Sequence, residues 1–137
     1  MEKIEERKEI LPHRHLIIDG TITKSPKNTQ ETRDFITKIV TSIGMKVMEL
    51  GEDQKNPIAS YCTDKGNEGM TASVILTTSH CTIHVWDIDE TFTKLHFDLY
   101  SCSEFNPNDV ANLLKEQYGL CEYEQLFLDR VNFTSVG

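Results

Sequence analysis

The chain has no long apolar run, no closely spaced pair of cysteines and a shortage of basic side chains. Without about 20 consecutive apolar residues there is no candidate transmembrane helix. Only 14 Lys and Arg stand against 22 Asp and Glu, a net charge of −8. That balance argues against a nucleic-acid binder, which needs a basic face to displace counterions from phosphates. The four cysteines, Cys62, Cys81, Cys102 and Cys121, include no C-x-x-C pair, which argues against a zinc knuckle or thioredoxin-type motif. Free thiols are the expectation for an intracellular chain of this size, and three of the four are expected to serve packing. The first nine residues lack the apolar core of a secretory signal. Residues 1–12 therefore read as a solvated leader, 13–137 as one domain, and the setting as cytoplasmic.

What is present is a globular pattern. Hydrophobic side chains make up 38% of the 137 residues and cluster in blocks between polar turns, as a disordered chain would not. Residues 13–22, with the block His15-Leu16-Ile17-Ile18, read as a strand. A helix over 29–43 follows, its stripe Phe35, Ile36, Ile39, Val40, Ile43 stopped by Gly44. Alternation over 46–50 predicts a second strand, and 52–68 reads as the longest loop. Strands are expected at 70–77, 81–86 and 94–101, with an acidic turn over 87–91. Asn106-Pro107 opens a second helix that ends at Gly119, and a last strand lies within 122–133. The fold class is α+β, an antiparallel sheet with two helices on one face, in the order β-α-β-β-β-α-β.

The uncovered sheet face holds the chemistry. By parity His80, Thr82, His84 and Trp86 share it, while Cys81, Ile83 and Val85 point to the core. On the neighbouring strand His96, Asp98 and Tyr100 share it, and Cys102 continues their parity. His80 and His84 would be roughly 13 Å apart on a strand, too far for one zinc with ~2 Å bonds, so no metal is expected. A Cys/His hydrolase is a second possibility, with His84 facing Cys102 across strands and Asp98 orienting the ring, although nothing specifies an oxyanion hole.

The run Thr78-Ser79-His80-Cys81-Thr82-Ile83-His84-Val85-Trp86, with Phe97-Asp98-Leu99-Tyr100-Ser101-Cys102, resembles the short bacterial and archaeal form of the S-adenosylmethionine decarboxylase family. His15-Leu16-Ile17-Ile18-Asp19 is similar to that family's first strand. Gly69-Met70-Thr71-Ala72 is similar to its Gly-x-Ser-Gly segment, eight residues before the key serine. The resemblance covers most of residues 13–133.

It implies a proenzyme that cuts itself between Thr78 and Ser79. The Ser79 hydroxyl attacks the Thr78 carbonyl, the resulting ester breaks by β-elimination, and hydrolysis leaves a pyruvoyl ketone at the new N-terminus. By the same resemblance His84 takes part in the elimination and Thr71 supplies a hydroxyl to the strained intermediate. The ketone would form a Schiff base with the substrate amine and draw electrons as CO₂ leaves, with Cys102 returning a proton. Trp86 would stack on adenine, and an acid among Asp87, Asp89 and Glu90 would bind the ribose. The product would be the aminopropyl donor for spermidine, and the implied assembly is a homodimer whose polar faces meet. Ser79 and His84 differ by five residues and would face opposite ways on a straight strand, so Ser79 is expected in a turn or bulge.

The chain departs from the family's pattern in three places. Thr78 replaces a charged residue, Asp87-Ile88 replaces Pro-Glu after the tryptophan, and the turn over 87–93 is longer. These departures leave two alternatives: a pyruvoyl decarboxylase of ornithine or arginine, and an unprocessed homologue that binds a ligand or partner.

Overall fold

The computed structural model describes residues 12–137, so the expected leader, apart from Pro12, lies outside the described residues. The elements are β1 (Arg14–Ile22), α1 (Thr29–Ser42), β2 (Ile58–Cys62), β3 (Gly69–Leu76), β4 (Ser79–Asp87), β5 (Thr93–Ser101), α2 (Pro107–Tyr118), β6 (Tyr123–Asp129) and β7 (Thr134–Ser135). They form one seven-stranded sheet in the order β2-β3-β4-β5-β1-β6-β7, antiparallel throughout.

Alternation does most of the folding. Leu16 and Ile18 of β1, Val74 of β3, Cys81 and Ile83 of β4, and Phe97 and Leu99 of β5 are all buried. Both helices lay their apolar stripes on that face. The Asn28 side chain caps α1 by accepting from the Glu31 N–H at 2.9 Å, and Phe35, Ile36, Ile39 and Val40 turn inward. Asn106 caps α2 in the same way, Pro107 opens its first turn, and left-handed Gly119 closes it at φ +67°. Val110, Leu114 and Tyr118 complete the core.

Two expectations need correction. The segment 46–50 is no strand: it makes a single bridge, Val47 to Leu76. The Asn56 side chain explains this, because it accepts from the Ile75 N–H and donates to the Met48 carbonyl, the two groups through which pairing would continue. The edge strand is β2 instead, inside the segment expected to be loop. It escapes detection because an exposed edge buries little: only Ala59 and Tyr61 pack against the core. Five of the six strands named from the sequence are found, and β2 and β7 are added, which makes seven.

The cysteines also divide differently from expectation. Cys81 alone is a core residue, and burial pushes its thiol well above the ordinary value. Cys62 and Cys121 are exposed, and Cys102 is half-buried. Among the described residues no helix is long and apolar enough to cross a membrane.

Candidate active site

β3 and β4 are joined by a tight turn at Thr77-Thr78, and Ser79 is the first residue of β4. It is paired with Leu76 and Ser101, yet its φ is +144°. An L-residue is strained there, and such strain persists only where the surroundings impose it. Ser79 therefore lies both at the exit of a turn and within the ladder, partly exposed rather than sunk in the core.

The peptide group before it is held from the next strand. The Thr78 carbonyl accepts from the Cys102 N–H at 3.0 Å, and the Thr78 hydroxyl accepts from the buried Ser101 hydroxyl at 3.1 Å. Cys102 follows directly on β5, so the same short segment brings its thiol and a backbone donor to the turn. Sequence reading missed that donor because backbone groups carry no sequence signal.

A second cluster lies further along the same face. Thr71 and His84 are cross-strand partners, and the Thr71 hydroxyl meets His84 Nδ1 at 3.1 Å. The His84 ring stacks on Trp86 with centroids 5.7 Å apart, and His96 packs edge-on to Trp86 at 4.8 Å. Gly69, with φ +153°, lets β3 pass close here, since a Cβ would overlap the Val85 carbonyl.

The expected pairing of His84 with Cys102 is not found. His84 faces His96, whereas Cys102 lies at the level of Thr78. Five residues of strand, roughly 17 Å, separate Ser79 from His84 within one chain.

Asp87 does not join Trp86. Its parity is opposite, and its half-buried carboxylate takes hydrogen bonds from Lys27 Nζ at 2.5 Å, the Tyr61 hydroxyl at 2.5 Å and the Ser25 hydroxyl. Burial pushes the Asp87 carboxyl up, but the bonds from Lys27, Ser25 and Tyr61 outweigh it and hold it below the usual carboxylate range. Asp87, one of three acids named for the ribose, ties the end of β4 to the β1–α1 connection and to β2. Asp89 is at the hairpin tip, where it accepts from the Thr91 N–H at 2.8 Å and the Thr91 hydroxyl at 2.9 Å. The Thr91 bonds lower its carboxyl below the ordinary value.

A third cluster surrounds Asp98. His15 Nε2 is 3.2 Å from its Oδ1, and His80 Nε2 is 3.6 Å from the same oxygen. Arg130 Nη1 meets His15 Nδ1 at 3.0 Å, and its guanidinium lies over the Tyr100 ring. Only Asp98 of this group was singled out from the sequence for orienting an imidazole. The strand pairing that gathers the rest is long-range.

Comparisons with known proteins bear on the family and the fold. Two curated relatives, the S-adenosylmethionine decarboxylase proenzymes of two type A strains of Clostridium botulinum, are each 26% identical over 105 residues, covering 74% of this chain and 79% of theirs. The crystal structure of the adenosylmethionine decarboxylase from Aquifex aeolicus superposes with a TM-score of 0.66. That match covers 88% of this chain and 91% of the other at 15% identity, a likeness of fold. The family model for S-adenosylmethionine decarboxylase matches residues 14–131, and the chain belongs to that family.

Proposed function

We propose that this chain is a self-processing proenzyme, cut between Thr78 and Ser79, that decarboxylates S-adenosylmethionine to the aminopropyl donor for spermidine in the cytoplasm. The observation that carries the reading is Ser79 itself: a non-glycine residue at φ +144° whose preceding carbonyl accepts from the Cys102 N–H. That donor polarises the carbonyl the Ser79 hydroxyl would attack and suits the oxyanion that attack creates. The strain at Ser79 is relieved as the amide gives way, which favours the forward step.

These residues fit a pyruvoyl group at position 79. When formed, that ketone supplies an electron sink for loss of CO₂. Around it the chain's own residues bind and move protons. Cys102, half-buried beside the turn, delivers a proton to the substrate carbon. Trp86 offers an aromatic face to adenine, and an aromatic face also attracts the positive sulfonium. Thr71 holds His84 by its Nδ1, leaving Nε2 directed away for the elimination.

The separation of about 17 Å between Ser79 and His84 supports a site shared with a second copy. In a homodimer whose polar faces meet head to tail, the Ser79 end of one chain lies against the Thr71–His84 end of the other. Ile58, Ile75 and Leu126, exposed large apolar side chains of the strands, then find cover.

Intact-mass analysis of the purified protein tests the reading. Fragments 1–78 and 79–137, the second beginning with a ketone in place of its amine, are expected, along with CO₂ release from carboxyl-labelled S-adenosylmethionine. A chain that stays whole after long incubation overturns it, and release from ornithine or arginine instead reassigns the substrate.

A further inference from the structure

We propose that a cavity between the β1–α1 connection, the first turn of α1 and the end of α2 binds a small zwitterion of the α-amino-acid class. The cavity has a volume of about 320 Å³, and Lys24, Ser25, Lys27, Glu31, Thr32 and Tyr118 are among its lining residues. One water takes up only ~30 Å³ of liquid, so the space suits a larger molecule. None of these residues belongs to the Ser79 end or the Thr71–His84 end, and the proposal does not depend on self-cleavage.

The wall of this cavity carries a polar group that the fold leaves unsatisfied. Tyr118 is only 3% exposed, and its hydroxyl has no hydrogen-bond partner among the described residues. Its polar neighbour is Thr32, a second buried cavity residue, whose own hydroxyl donates to the Asn28 carbonyl at 2.8 Å. Burial pushes the Tyr118 hydroxyl up to about 12, so it keeps its proton and can offer it. A buried donor without an acceptor is costly, and nearly all such groups in folded proteins are paired. Here the acceptor has to come from a molecule in the cavity.

The charges around the cavity give the class of that molecule. Lys27 and Ser25 are already committed, since both donate to Asp87. Lys24 keeps only a long 3.5 Å contact from its Nζ to the Glu116 carbonyl. The Glu31 carboxylate makes no ion pair among the described residues. One cation and one anion are thus left over beside one neutral donor. A simple anion would be repelled by Glu31, and a simple cation by Lys24. A molecule with both charges suits both: its carboxylate accepts from Lys24 and the Tyr118 hydroxyl, and its ammonium donates to Glu31.

The test is titration of the purified full chain with L-alanine, followed by the backbone amide signals of Lys24, Glu31 and Tyr118. Saturable shifts at these three positions are expected. Acetate and methylammonium, which carry one charge each, are expected to bind at least roughly tenfold more weakly. Tyr118→Phe keeps the ring packed on Phe35 and loses only the hydroxyl, and it is expected to weaken L-alanine binding roughly tenfold. Glu31→Gln, an exposed position where folding is not at stake, is expected to weaken L-alanine to a similar degree but not acetate. No saturable shift with L-alanine means that water alone fills the cavity and overturns the proposal. Acetate binding as tight as L-alanine, or unchanged L-alanine binding by Tyr118→Phe or Glu31→Gln, overturns it as well.

Discussion

The Ser79 end and the Thr71–His84 end of the same sheet face are built on different principles. At the Ser79 end the work is done by backbone: a turn of two residues, a positive φ and a main-chain N–H from Cys102. At the other end side chains act across regular strands, with Thr71 on His84 and His84 on Trp86. The first arrangement stores strain and aligns one carbonyl. The second holds an imidazole and an aromatic ring ready but touches no scissile bond in its own chain. On the proposed self-cleavage, neither end is a complete site and each has what the other lacks.

The strongest way to break this comparison is to disable one end per chain. Ser79→Ala and His84→Ala are each expected to lose cleavage by at least roughly 10²-fold when expressed alone. Co-expressed, they are expected to yield the fragments again, because a mixed dimer keeps one unaltered Ser79 end against one unaltered His84 end. Continued failure in the mixture, by mass spectrometry, would place both ends' work within one chain.

The two functions of the Ser79 end separate next. Cys102→Ala keeps the backbone N–H on Thr78 and loses only the thiol. Cleavage is expected to survive while turnover of the processed enzyme falls roughly 10²-fold, measured as CO₂ release. A smaller effect belongs to the far end: Trp86→Ala is expected to raise KM about tenfold with cleavage intact, the scale of one lost base–aromatic stack.

The smallest expected effect lies outside both ends. Asp87→Asn is expected to destabilise the fold by about 1–2 kcal/mol through weakened bonds to Lys27 and Tyr61, leaving the cleavage rate unchanged. Because the Asp87 carboxyl is held below its ordinary value in the folded chain, its contribution is present above about pH 4 and fades as pH falls through the folded value. Urea melts of the two proteins should therefore converge in acid, and a gap that widens there would contradict the clamp.

Legibility followed physical strength of signal. Both helices were readable, and for α2 its caps as well, since Asn106, Pro107 and Gly119 act through neighbours in sequence. The central strands were readable because each buries alternate side chains. The edge strand β2 was not, since an exposed edge imposes little pattern, and the Asn56 side chain that halts pairing near 46–50 acts across 19 residues to Ile75. In the site, Ser79, His84, Trp86, Cys102 and Thr71 could be named by motif. Their grouping into two separated ends, and the diversion of Asp87 to Lys27, could not.

The sequence by itself determined which residue types stand on the uncovered face, because strand parity is a local property with a period of two. Only the tertiary structure decided what each side chain meets. Register between strands far apart in the chain puts Cys102 against Thr78, His15 and His80 around one oxygen of Asp98, and His84 about 17 Å from the serine it is expected to serve. Those distances are set by hydrogen-bonded pairing summed over whole strands, and no single residue carries them.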